Sequence, residues 1–201
     1  MLVVACMQSR WCEAYALPSP THQLVAACFL DWFSRHGVPE QIHTDQGSQF
    51  MAESLAEAYE QLGIKRTRTT PYHPSGDPAE RMIGAIVRVL RALVYENLNN
   101  ADWDELLPIV LMCLRSQVIE TMRVSPYEVV HGMQMRLPID HIFATEPESR
   151  TTPLHDLPVR LQRLRERISK YQEQQRDRYK KKYDKSRKDV TFHVGDEVLL
   201  H

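Results

Sequence analysis

The stretch HTDQGSQF, residues 43–50, follows a short strand signal at Gln41–Thr44. Asp45 stands where that strand would end, Gly47 supplies a turn residue, and Ser48 is a residue type that caps helices. Aspartate is common in turns before glycine, so Asp45 has an ordinary structural explanation. It also has a chemical one, because a carboxylate displayed at a strand end can coordinate a metal ion. The rest of the chain bears on which explanation applies.

Apolar patterns on both sides of this stretch predict a layered α/β protein. Leu2–Cys6 and Cys12–Leu17 predict a β-hairpin, and the brevity of Gln41–Thr44 predicts an interior strand. Ile64–Thr70 adds a further strand, so we expect a mixed sheet flanked by helices. The predicted helices run from a cap within Ser19–Thr21 to Arg35, from a cap at Ser48 to about Leu62, from a cap at Asp77 onward, from Ala101 to about Ser116, over Pro126–Val130, and from Leu161 to about Tyr183.

The helix that begins near Asp77 has the clearest start signal. Asp77 is a capping residue, Pro78 suits the first helical position, and Glu80 lies three residues after the cap. One apolar stripe then follows at helical spacing. It comprises Met82, Ile83, Ile86, Val87, Leu90, Leu93 and Val94.

Charge is distributed unevenly along the chain. Residues 160–188 hold 13 Lys/Arg and 4 Asp/Glu, whereas the remainder holds 12 Lys/Arg and 22 Asp/Glu. A basic segment attached to an acidic body predicts an arm that binds a polyanion. A solvated charged helix explains the same pattern equally well.

Several classes of protein are disfavoured by composition. No apolar run reaches the roughly 18 residues of a membrane span, and we expect no membrane association. The four cysteines are scattered, so an intracellular location is expected. His22, Cys28, His36 and His43 lack the paired spacing of a zinc site, and we expect no zinc.

Two acids stand out by position, Asp45 after a strand and Glu80 at a helix start. Hard divalent cations prefer oxygen ligands. Two such ions, held by carboxylates from several elements, can stabilise both the attacking and the leaving oxygen of a phosphoryl transfer. The alternative is a turn residue at Asp45 and a capping-box glutamate at Glu80.

Five motifs make this signal specific. In order they are IHTDQGSQF (42–50), LGIKRTRTTPYHPSGDPAER (62–81), DWDELLPIVL (102–111), SPYEVVHGMQMRLPID (125–140) and FHVGDEVLL (192–200). Together they resemble the integrase of gypsy-type LTR retrotransposons and their retroviral relatives. The resemblance implies a ribonuclease H-like α/β fold with a mixed sheet, followed by a long basic helix. It also implies an Asp-Asp-Glu site that uses Mg²⁺ or Mn²⁺ to process and join DNA ends.

The resemblance assigns roles and boundaries to parts of this chain. Asp45 matches the second catalytic and metal-binding acid, and Glu80 matches the third. By the same resemblance the first acid lies upstream, so we expect a truncated catalytic core at 1–145. A linker at 146–159, a basic helix at 160–188 and the start of a truncated C-terminal β-barrel at 189–201 would follow.

The sequence also departs from the family pattern. Asp45 and Glu80 are separated by 34 residues, one fewer than the family usually has. Pro78 replaces a flexible residue, and Ile83 stands where relatives commonly have Asn. Cys6 occupies a position where relatives often carry Asp, although that Asp is not one of the catalytic three.

Basic and loop residues near these acids are the candidate DNA contacts. In the family, the helix face next to the third acid approaches DNA. The candidates are Lys65, Arg66, Arg68, Tyr72, His73, Arg81, Arg88, Lys180, Lys181 and Lys182. Each also has a purely structural explanation, as a solvent-exposed, edge-strand or loop residue.

The sequence therefore predicts a nucleic-acid-binding protein associated with DNA integration, with catalysis impaired and a nuclear or other intracellular location. Its partners would be DNA and other copies of the chain. The alternative is a non-enzymatic, domesticated module that binds DNA or another protein. Detection of metal-dependent strand transfer would separate the two.

Overall fold

A computed structural model describes residues 1–68, 78–97, 102–142 and 156–186. Its strands are β1 (Leu2–Ala5), β2 (Cys12–Tyr15), β3 (Gln41–Thr44) and β4 (Lys65–Arg68). Its helices are α1 (His22–His36), α2 (Glu53–Gln61), α3 (Pro78–Asn97), α4 (Leu107–Ser116), α5 (Pro126–His131), α6 (Pro138–Ile142) and α7 (Leu157–Ser186). None of the helices in these ranges combines the length and the apolar character that a membrane span requires.

β1 and β2 form the predicted antiparallel hairpin, with Leu2 opposite Tyr15 and Ala5 opposite Cys12. Side chains of β1 alternate between two faces, as a strand requires. Leu2 and Val4 join the cluster around α1 and α2, whereas Val3 packs against the cluster of α3 and α4. The hairpin is therefore covered by helices on both faces.

α1 begins and ends as the sequence predicts. The Thr21 side chain accepts a hydrogen bond from the Leu24 N–H at 3.4 Å, and Gly37 ends the helix with φ +83°. Its buried face comprises Val25, Cys28, Phe29 and Trp32. Gly37 has room for a Cβ, so its conformation rather than its size favours glycine there.

β3 and β4 pair in parallel, with Gln41 opposite Lys65 and Thr44 opposite Arg68. Among the described residues these two strands form a sheet separate from β1 and β2. The expectation that Gln41–Thr44 is an interior strand is wrong, because its residues alternate between exposed and half-buried. Helices cover one face of this pair, since Ile42 packs against the α1 and α2 cluster.

The helix predicted from Ser48 to Leu62 begins later than expected. Ser48–Phe50 forms a short 3₁₀ turn, and α2 starts at Glu53 without a side-chain cap. Leu55 and Tyr59 are buried as predicted, and Gly63 follows the helix with φ +67°. The delay arises because the Asp45–Gly47 turn continues into the 3₁₀ turn rather than directly into an α-helix.

α3 and α4 pack together on the face of the hairpin opposite α1. Ile86 and Val110 are fully buried at their contact. Ile83 remains 41% exposed, so its assignment to the apolar stripe is wrong. α4 begins at Leu107 rather than Ala101, because residues 102–106 form turns and Pro108 favours the first helical turn.

α5 and α7 form the remaining packed unit. Ser125 caps α5 by accepting a hydrogen bond from the Glu128 N–H at 3.1 Å, and Gly132 ends it with φ +73°. Leu164 and Ile168 of α7 are buried against the cluster that contains Val129. α7 begins at Leu157, before the predicted start of the basic segment at residue 160.

Several sequence predictions lie outside the described residues. They include Tyr72 and His73, the cap at Asp77, the end of the predicted core at 143–145, residues 146–155 of the predicted linker, and everything after Ser186. The backbone of Lys182 lies in α7, and its side chain is outside the description. These assignments stay predictions.

Candidate metal and nucleic-acid site

Asp45 lies immediately after β3, at the carboxyl end of the strand pair. Its side chain is exposed, and its Oδ1 accepts a hydrogen bond from the Gly47 N–H at 3.0 Å. This local turn is the structural role that the sequence allows for an aspartate before glycine. The turn also orients the carboxylate at the strand end, so the two explanations of Asp45 are compatible.

The uncovered face of the β3–β4 pair carries a small polar cluster around Thr67. The Thr67 hydroxyl oxygen accepts a hydrogen bond from Gln41 Nε2 at 2.9 Å and lies 2.9 Å from His43 Nδ1. These contacts join the two strands on their exposed face. They place a polar surface beside Asp45.

Glu80 lies in the first turn of α3, and its side chain is exposed. Arg81 and Arg88 are exposed as well, on the side of α3 away from buried Ile86 and Leu90. The start of α3 lies beside the hairpin, because Met82 packs in the same cluster as Val3. The predicted basic and acidic residues of α3 are therefore accessible to a ligand.

The side chains at the predicted metal site show whether their chemistry suits a divalent cation. Asp45 and Glu80 carry exposed carboxylates, which are the oxygen ligands that Mg²⁺ and Mn²⁺ prefer. The described parts of the chain hold no group of three or more Asp, Glu, His or Cys side chains arranged to bind a metal ion. The donor chemistry suits a divalent cation, and the described residues do not assemble a full ligand set.

The three cations of β4 differ in what they contact. Lys65 and Arg68 are exposed. Arg66 turns inward, where its Nη2 donates to the Phe50 carbonyl at 2.8 Å and its guanidinium lies 5.4 Å from the centre of the Tyr59 ring. These interactions give Arg66 a structural role, and its contact with DNA stays a prediction.

α7 segregates its charges into rows at 100° per residue. Five exposed cations with described side chains fall within one sector about 80° wide, which runs for about 27 Å at 1.5 Å per residue. This basic stripe comprises Arg163, Arg167, Lys170, Arg178 and Lys181, all exposed. The acidic side chains of the helix lie on a neighbouring row: Glu166, Glu173, Asp177 and Asp184.

α7 is anchored by its first half. Leu164 and Ile168 are buried, and the side chain of Gln172 donates to the carbonyls of Met7 and Gln8 at 3.0 and 3.2 Å. Tyr179 is 65% exposed, which is unusual for so large a ring. The second half of the helix therefore presents the far end of the basic stripe to solvent.

A buried polar cluster that the sequence does not predict lies behind the hairpin. Glu13 is 6% exposed, and its carboxylate contacts Arg115 at 2.6 Å, Arg35 at 3.1 Å and the Trp11 indole N–H at 3.2 Å. Burial raises the pKa of the neighbouring Cys12 thiol to about 11. No local motif marks these residues, because α1 and α4 deliver the two arginines from distant parts of the chain.

Comparison with known proteins identifies the family. Residues 1–74 match the family model of the integrase core domain. The Gag-Pol polyprotein of Feline leukemia virus is 31% identical over 166 residues, which cover 81% of this chain and 10% of that polyprotein. The chain belongs to the retroviral integrase superfamily. The residues matched by the family model include Asp45 and end before Glu80.

Other relatives of this integrase core extend the match. The Pol polyprotein of transposon 412 from Drosophila melanogaster is 24% identical over 208 residues, covering 99% of this chain and 16% of that polyprotein. The chain thus spans a small part of each of these polyproteins.

Solved integrase cores share the fold. The catalytic core of BIV integrase is 26% identical with a TM-score of 0.53, covering 71% of this chain and 88% of that one. The HTLV-2 integrase core in complex with magnesium is 21% identical with a TM-score of 0.54, covering 63% and 80%. The predicted ribonuclease H-like α/β fold is confirmed.

Proposed function

We propose that this integrase core binds DNA and contributes to DNA integration. The observation that carries the proposal is the exposed Asp45 carboxylate, held at the carboxyl end of β3 by the Gly47 N–H. That position matches the second metal-binding acid of a DNA-joining family. Glu80 would supply a further carboxylate, and Mg²⁺ or Mn²⁺ bound there would polarise a DNA phosphodiester.

The chain's own cations would hold the DNA. Arg68 lies opposite Thr44, at the strand end that carries Asp45, and Lys65 lies at the other end of β4. Arg81 and Arg88 extend from Glu80 along α3. The basic stripe of α7, with Lys181 near its end, supplies a second surface. Contacts of this kind position the sugar-phosphate backbone without reading its sequence.

We further propose that this integrase core transfers phosphodiesters poorly. The interval between Asp45 and Glu80 holds 34 residues, one fewer than the family usually has. The shortened interval changes where Glu80 lies along its helix, so the two carboxylates would hold divalent cations less well.

The direct test is strand transfer by the purified chain on a short DNA duplex with Mg²⁺ or Mn²⁺. We expect salt-dependent DNA binding and little or no transfer. Asp45→Asn should leave DNA binding nearly unchanged and reduce Mn²⁺ binding measured by calorimetry. Robust transfer that disappears in Asp45→Asn would overturn the proposed impairment, whereas absence of DNA binding would overturn the proposed function.

A nuclear location and self-association follow from the same proposal. The HTLV-2 core is described in dimeric and trimeric forms, and a simian T-cell lymphotropic virus relative in an intasome. We expect this chain to form oligomers that DNA stabilises. Light scattering with and without a duplex tests the assembly, and fractionation of cells that express the chain tests the location.

A further inference from the structure

Arg10 has an unusual backbone for its residue type. It lies in the turn between β1 and β2 with φ +61°, where its N–H donates to the Cys6 carbonyl at 2.9 Å. A left-handed conformation disfavours a residue with a Cβ by roughly 1 kcal/mol. The turn therefore keeps an arginine where glycine or asparagine would be more stable.

Arg10 also differs from the other half-buried arginines in the described ranges. Four arginines in the described ranges are half-buried, and three of them have polar contacts. Arg66 donates to the Phe50 carbonyl, Arg115 pairs with Glu13, and Arg160 pairs with Glu128. The Arg10 guanidinium forms no ion pair or hydrogen bond with any residue that the structure describes. Removing a charged group from water without a counter-charge is unfavourable.

A second guanidinium lies near the first. The pKa of Arg10 is lowered, first by burial and then by the positive charge of Arg81. Val3 of β1 and Met82 of α3 pack against the same hydrophobic cluster, and α3 contacts β1, so the start of α3 lies at the hairpin. Two arginines that repel one another, neither in an ion pair with a described carboxylate, form a site suited to an external anion.

The identity of residue 6 accounts for the missing counter-charge. The Cys6 thiol is half-buried and accepts the Ser9 N–H at 3.5 Å. The Arg10 N–H donates to the Cys6 carbonyl, so the two residues adjoin within the turn. An aspartate at this position would place a carboxylate beside Arg10, whereas the thiol of Cys6 provides none.

We propose that Arg10 and Arg81 together bind a phosphate of the DNA backbone, at a site that is open because residue 6 is cysteine. This site would add a DNA contact to the proposed function and rests on it, because Arg81 directly follows Glu80, the expected metal ligand. Arginine suits this role because its planar donors match phosphate oxygens in a two-point contact. Arg10 would then be a DNA contact on the hairpin, apart from the basic stripe of α7.

The first test compares two arginines that share the same backbone. Arg123 is exposed and also has a positive φ, +53°. Asparagine tolerates this conformation, so Arg10→Asn and Arg123→Asn should both fold. Using fluorescence anisotropy on a labelled duplex at several salt concentrations, we expect Arg10→Asn to reduce the steepness of log K against log salt by roughly 0.9. Arg123→Asn should match the parent.

The second test places a carboxylate beside Arg10 by substitution of Cys6. Cys6→Asp should pair with Arg10, raise the melting temperature and reduce the salt slope of DNA binding as Arg10→Asn does. Cys6→Asn has nearly the same shape and no charge, so it should keep the slope of the parent. If Arg10→Asn and Cys6→Asp both bind DNA with the slope of the parent, the proposed site is wrong, while DNA binding by the parent still supports the function.

Addition of inorganic phosphate distinguishes a site for the DNA backbone from a site for a free anion. If phosphate raises the melting temperature of the parent and not of Arg10→Asn, while their DNA slopes are equal, the site takes a free anion and its assignment to DNA is overturned. If the parent does not bind DNA at all, the proposed function fails. The same phosphate comparison then decides the anion site, and equal responses of the two proteins would refute it.

Discussion

Arg115 at the end of α4 lies 2.6 Å from the buried carboxylate of Glu13 on β2. The same guanidinium donates to the Cys12 carbonyl through Nε and Nη2 at 3.1 and 2.8 Å, and it covers the Trp11 ring at 4.3 Å. One side chain thus joins the hairpin to the helical layer. Arg35 of α1 contacts Glu13 as well, so the carboxylate connects three elements.

Arg115→Met should destabilise the fold strongly. It removes one partner of a buried charge and two hydrogen bonds to a backbone carbonyl, for which we expect a decrease of about 3 kcal/mol in the free energy of unfolding. Arg35 remains beside Glu13 and limits the decrease. Denaturation in urea measures the change, with the exposed Arg88→Met on α3 as control. A decrease no greater than that of Arg88→Met would show that the pairing adds nothing to stability.

Gly132 permits α5 and α7 to pack closely. A Cβ there would lie 2.3 Å from Leu157 Cδ1, and φ is +73°. Gly132→Ala should therefore cost about 2 kcal/mol, from strain and overpacking together.

Gly84 offers a matched control for that change. It lies within α3, where a Cβ would meet nothing within 4 Å, so Gly84→Ala should stabilise by roughly 0.5–1 kcal/mol. Thermal unfolding of both variants checks that Gly132→Ala lowers the melting temperature and Gly84→Ala raises it. Equal effects would mean that the α5–α7 packing does not constrain residue 132.

The basic stripe of α7 predicts which cations bind DNA. Arg163→Gln with Arg167→Gln removes two charges from the stripe, whereas Arg165→Gln with Arg176→Gln removes two exposed charges from elsewhere on the helix. The stripe pair should reduce the salt slope of DNA binding by about 0.9 for each phosphate that is no longer neutralised. Anisotropy titrations compare the two double variants at equal net charge. Identical slopes would indicate a general charge effect with no preferred face.

His131 should make stability depend on pH. Its ring contacts Trp11 and Tyr127, and its pKa is lowered from 6.5 by burial and by the charges of His36 and Arg115. As pH falls through 6.5, the unfolded chain binds the proton first, so stability decreases.

The melting temperature should therefore drop less in His131→Gln than in the parent between about pH 7.5 and values below 6.5. Circular dichroism over that range measures both slopes, and the other histidines are common to the two proteins. A variant as sensitive to pH as the parent would rule out this contribution.

Local features were predictable because they depend on neighbours in sequence. The hairpin, the cap before α1, the helical turn predicted at Pro126–Val130 and the glycine that ends α1 all follow from a few adjacent residues. The hydrogen bonds of the helix ends form within one turn, and the hairpin pairs two strands that are adjacent in sequence, so the residue types suffice. Ser48 is the informative failure, since a capping residue was present and the chain formed a 3₁₀ turn.

The candidate site was predictable to a lesser degree. The sequence placed Asp45 at a strand end and Glu80 in the first turn of a helix, and both lie there. It could not show that Arg66 turns inward onto Tyr59, or that Ile83 stays exposed. Those outcomes depend on which face each element presents to its neighbours.

The sequence by itself determined the family, the order of strands and helices, and the position of an acid at the end of β3. Only the tertiary structure decided which charges are paired. Glu13 has Arg115 because packing brings residues from distant parts of the chain within 2.6 Å. Arg10 has Arg81 nearby and no described carboxylate, because α3 packs against the hairpin there. Whether a charged side chain has a counter-charge depends on its neighbours in space, and sequence order does not specify those neighbours.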